Sequence, residues 1–60
     1  MRLVQFQRPA RQTPYYVNPE MVIAVHQLHG SEGRSMIVTA AGSEQIDAPA
    51  DEVVAALTTP

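Results

Sequence analysis

The chain has 60 residues, of which 45% are hydrophobic, no cysteine, and a formal net charge of −2. That length allows one small domain with little room for an enclosed pocket, and the lack of cysteine excludes disulfides and thiolate zinc centres. An acidic balance with no lysine argues against a strong electrostatic nucleic-acid binder.

A folded chain of this size buries only about 60% of the surface its extended form exposes. The apolar gain and the cost of ordering the chain then roughly cancel. With disulfides excluded, self-association is the remaining remedy, so a homo-oligomer, dimer or higher, is expected. The basic residues Arg2, Arg8 and Arg11 precede every acid, whereas Glu44, Asp47, Asp51 and Glu52 fall in the last third. Such uneven charge could orient one subunit on another, but solvated rims are the favoured account of it. No apolar run approaches the ~18 residues of a membrane span, and the first residues lack the apolar core of a signal peptide. A cytoplasmic location is the expectation that follows.

In chain order, Arg2-Leu3-Val4-Gln5-Phe6-Gln7 alternates as a half-buried strand, with Val4 and Phe6 on one face and Leu3 and Gln5 on the other. Residues 8–14 are polar and carry Pro9 and Pro14, which lack amide donors, so they form a surface loop. Tyr15-Tyr16-Val17 is aromatic and β-branched and should pair with the first strand as a hairpin. Tyr15 and Val17 share a face; Tyr16 takes the other, at a rim or an interface. Asn18-Pro19-Glu20 then signals a short helical turn, because asparagine caps amides and proline suits the first helical position.

Val22 to Leu28 is the longest β-prone run. Ile23 and Val25 are expected on one face and Val22, Ala24, His26 and Leu28 on the other. Both faces are largely apolar, which predicts a central strand covered on both sides. His29 to Arg34 carries two glycines and reads as a hairpin loop. Residues 35–40 form the return strand, Ala41-Gly42-Ser43 a turn, and residues 44–47 a last short strand with Ile46 as its one core residue. Residues 49–58 form the C-terminal helix. Pro49 suits its start, Asp51 and Glu52 suit its positive end, and Val53, Ala56 and Leu57 make one apolar stripe. The fold class is therefore α+β: one domain over residues 1–60, with about five short, mostly antiparallel strands in a strongly bent sheet and one helix.

Catalytic patterns are not found. Ser31, Ser35 and Ser43 lie in or beside turns without a nucleophile elbow or a matched base, and the glycines do not form a phosphate-cradling loop. His26 and His29, with Glu32 as a third ligand, are spaced for a metal on a helix, but they fall where a strand runs into a turn. Neither a cofactor nor a metal is implied, and an enzyme is not expected. Arg8 and Arg11 with Tyr16 combine phosphate-seeking charge with a stacking surface, which makes a nucleic-acid-binding or regulatory module the alternative. The preferred reading is an interaction module whose contact surface draws on Tyr16, Val22, Leu28, Val54 and Leu57.

The segments Val17-Asn18-Pro19-Glu20, Gly42 and Glu52-Val53-Val54 resemble those of short bacterial proteins of the flagellar SwrD/FlbD type. The likeness spans most of the chain, although residues 8–14 replace that family's early Leu-Asn-Gly turn. The resemblance implies a β-sheet-plus-helix fold and a non-enzymatic accessory role, and it supplies no catalytic residues.

Overall fold

The computed structural model describes residues 2–59. The chain is α+β, with five short antiparallel strands, a 3₁₀ turn and one C-terminal α-helix. The strands are β1 (Val4–Phe6), β2 (Tyr15–Val17), β3 (Val22–Gln27), β4 (Ser35–Thr39) and β5 (Gly42–Ile46), followed by α1 (Ala50–Thr58). They divide into a two-stranded sheet, β1-β2, and a three-stranded sheet in the order β3-β4-β5. The two sheets meet where Asp47 N donates to Gln7 O at 2.8 Å, just beyond the ends of β5 and β1.

The β1–β2 hairpin pairs Val4 with Val17 and Phe6 with Tyr15, so the alternation read from the sequence places Phe6 and Val17 in the core. Asn18 then caps the turn Pro19–Met21, its side-chain oxygen accepting from Glu20 N at 3.0 Å. Val22 follows in extended backbone, and the chain leaves the turn as β3.

The core is built one residue per element. The buried apolar side chains are Phe6 from β1, Val17 from β2, Ile37 from β4, Ile46 from β5 and Val53 from α1. Val22, Val25, Ala56 and Leu57 pack around them, partly buried. Ser35, also fully buried, satisfies its hydroxyl by donating to Ala48 O at 2.8 Å.

Two expectations about β3 need correction. The strand is not central: β4 is the middle strand and β3 lies at the sheet's edge. Nor do Ile23 and Val25 share a face. A register shift between Val22 and Ala24 inserts an extra residue, which puts Val22 with Val25 against the core and turns Ile23 out to 69% exposure. Two-sided apolarity therefore marks an edge strand with apolar surface left over. The helix also starts one residue later than expected, with Pro49 as its N-cap in extended backbone.

The 8–14 loop is held by a tight turn in which Arg11 N donates to Arg8 O at 3.3 Å. Pro9 and Ala10 occupy its centre, and Ala10 has φ 60°, the left-handed region that the third residue of such a turn needs and that alanine disfavours. Replacing Ala10 with glycine removes this strain at the cost of some chain entropy. A10G is expected to raise stability by about 0.5–1 kcal/mol, measured as a higher urea midpoint at unchanged denaturant slope.

Candidate functional site

An apolar surface with no partner within the subunit runs along β3. Four consecutive residues, Val22, Ile23, Ala24 and Val25, line a groove of about 340 Å³ whose other wall is Val54, Leu57 and Thr58 of α1. Successive residues of a strand point to opposite faces, so a hollow touching all four follows the strand's edge. Its lining carries no charged side chain, and Ile23 and Val54 are among the exposed large hydrophobics. β3 is the longest strand, yet none of its residues is fully buried.

Gln27, at the end of β3, fixes both walls. Its side-chain amide nitrogen donates to Arg34 O at 2.8 Å, Ser31 O at 3.0 Å and Glu32 O at 3.1 Å, which closes the β3–β4 loop. Its oxygen accepts from Ala50 N at 2.9 Å. Pro49, the helix N-cap, has no side-chain oxygen to offer, so Gln27 supplies the missing acceptor from a neighbouring strand. At the other end of α1, Arg2 donates to Ala56 O at 3.0 Å and Leu57 O at 3.3 Å, placing a cation where the helix dipole favours one. Both helix ends are thus tied down by polar groups from distant parts of the chain.

The other edge of the three-stranded sheet is dressed differently. Arg8, Pro9 and Arg11 line a polar hollow together with Ser43, Glu44 and Gln45 of β5. Arg8 donates to Glu44 Oε1 at 3.2 Å and to Thr13 through both its backbone carbonyl and its hydroxyl. With 17% of its side chain exposed, Arg8 is a clamp that lays the proline-bearing loop beside β5. Burial, reinforced by the Glu44 carboxylate and opposed by the Arg8 guanidinium, raises the Tyr15 phenol above its ordinary value.

Of the residues expected to form a contact surface, Val22, Val54 and Leu57 come together in the groove. Tyr16 does not line it. It pairs with Gln5 on the outward face of the β1–β2 hairpin, 55% exposed, while Leu28 sits half-buried at the start of the loop. Arg8 and Arg11 line the hollow beside β5, where Arg8 is already engaged, and Tyr16 is not among that hollow's lining residues. His26 is exposed on β3 and His29 exposed in the loop, and among the described residues no group of three or more potential ligand side chains is placed to hold a metal. Ile23 and Gln27 were not singled out by their sequence. The bulge that exposes the first has no sequence signature, and the second acts on residues up to 23 positions away. No helix among the described residues is long and apolar enough to cross a membrane.

The sequence matches no family model, and comparison with curated proteins and with solved structures gives no significant match.

Removing the Gln27 amide while keeping the strand tests its double role. Gln27→Ala should cost about 1–2 kcal/mol, with a selective rise in amide exchange at Ala50 and in the 28–34 loop. The Tyr15 shift also sets a direction with pH. A neutral phenol favoured in the fold contributes stability that is present below the unfolded value near ~10 and is lost as pH rises through the folded one. Tyr15→Phe is therefore expected to flatten the alkaline limb of a melting-temperature profile and leave the profile near pH 7 unaltered in shape.

Proposed function

We propose that this chain is a small, non-enzymatic bacterial accessory protein that works in the cytoplasm by protein–protein contact and associates with itself. The observation that carries this reading is the placement of β3. The longest strand, neutral and aliphatic through Val22–Val25, lies at a sheet edge and contributes no fully buried residue to the core. Edge strands of soluble proteins are ordinarily blunted by lysine, proline or a covering loop. Beside β5 the proline-bearing loop is tied to Glu44 through Arg8; Ala24 to Gln27 carry no lysine and no proline.

The total surface points the same way. The chain exposes 4162 Å², where a monomer of 6.5 kDa is expected to expose about 3,800 Å². A fold held by five buried apolar side chains gains most from covering what remains. Contact with another protein surface accounts for both features.

Dilution tests this directly. If association stabilises the fold, hundredfold dilution should lower the melting temperature by about 5 °C or more, with light scattering showing the mass falling towards one subunit. A single-subunit mass and a constant melting temperature across that range would remove the proposal.

A further inference from the structure

The hydrogen-bond phase of β3 says which backbone groups face the open edge. Leu28 N donates to Arg34 O at 3.3 Å, which extends the β3–β4 ladder one pair beyond Gln27 and Ser35. Hydrogen-bonded and non-hydrogen-bonded pairs alternate along an antiparallel ladder. Leu28 therefore shares its phase with His26 and Ala24, whose N–H and C=O groups point towards β4. Val25 and Gln27 fall in the opposite phase, and their N–H and C=O groups point away from β4, along the edge that borders the groove.

We infer that a second copy of this chain occupies that edge, its β3 running antiparallel to the first about a two-fold axis at Val25. The inference rests on the self-association proposed above and names its surface and geometry. In this register Val25 pairs with Val25 of the second copy, each donating its N–H to the other's carbonyl. Gln27 then lies opposite Ile23, and His26 opposite Ala24. No residue from Val22 to Gln27 carries a fixed charge, so the register sets no like charges against each other. The bulge at Val22–Ala24 precedes the paired centre and leaves the Val25 pair and the flanking Ala24–His26 pairs regular, with Ile23 of the bulge at the margin opposite Gln27.

The symmetry places the helices as well. A two-fold axis through an antiparallel strand pair stands perpendicular to the sheet, so both α1 helices lie on one face and run in opposite directions. The acidic first turn of one, with Asp51 and Glu52, then approaches the end of the other where Arg2 is held against Ala56 O and Leu57 O. Val54 and Leu57, exposed to the groove in one subunit, meet apolar groups of the second. Strand pairing, charge and apolar cover agree on one arrangement, a continuous six-stranded sheet.

The test is amide exchange of the full chain, read residue by residue at high and low concentration, beside the association constant of two variants. The Val25 and Gln27 amides should be protected in the concentrated sample and lose protection on dilution, while Ala24 and His26 stay protected by β4 in both. Ile23→Lys should weaken association about tenfold or more, and Tyr16→Ala should leave it unchanged. A dimer whose Val25 and Gln27 amides exchange freely, or one weakened by Tyr16→Ala and indifferent to Ile23→Lys, overturns this pairing while leaving self-association in place. A chain monomeric at every concentration overturns both. Protection of a monomeric chain only on adding a valine-rich extended peptide would assign the edge to a different protein and remove the second copy as occupant.

Discussion

The scarcity of buried apolar side chains governs this structure. Each of β1, β2, β4, β5 and α1 contributes one residue to the core, and β3 contributes none that is fully buried. With so little interior, losing any one of Phe6, Val17, Ile37, Ile46 or Val53 removes its element's one fully buried or nearly buried apolar anchor. In larger domains a core residue has neighbours that can close over a void. Here only partly buried side chains such as Val4, Val25, Ala56 and Leu57 surround the buried five, so there is little material to close over a void.

Polar ties make up part of what the core lacks. Gln27 joins a strand, a loop and a helix start; Arg2 joins the N-terminal segment to the helix end; Ser35 joins β4 to the segment before α1. Each links residues far apart in sequence, and each satisfies backbone groups that would otherwise have no partner within their own element. Hydrogen bonds of this kind contribute modestly one at a time. Their value lies in position: they fix where α1 sits relative to β3, and so they shape the groove between them.

Much of this was legible in the sequence, and the reasons for the rest are specific. Alternation in Val4–Phe6 and Tyr15–Val17, the Asn18-Pro19 cap and the Val53-Ala56-Leu57 stripe are local signals, and each element formed where they lie. The run Val22 to Leu28 misled because apolar residues on both faces describe two situations equally well. A strand covered on both sides and an edge strand whose cover is not part of the same subunit have the same pattern. The bulge adds to this, since one inserted residue exchanges the faces of everything before it. Gln27 was opaque for another reason: a glutamine in an alternating strand reads as a solvent-facing position, and its partners are set by tertiary structure alone.

The two edges of the three-stranded sheet differ in a way that bears on how association would end. Strands with two open edges can pair indefinitely, whereas one open edge allows a single isologous contact that closes on itself. Beside β5, the Arg8 clamp ties the proline-bearing loop to Glu44 across a polar hollow, and the Gln7 carbonyl already accepts from Asp47 just beyond the strand's end. Beside β3, among the described residues, lies the groove bordered by Pro19 and the flank of α1. The strained turn at Ala10 belongs to the same device, because it folds the loop back so that Arg8 can reach both Thr13 and Glu44. On the pairing proposed above, a loop tied to the β5 edge would leave β3 as the edge for association and would favour a closed pair over an open array.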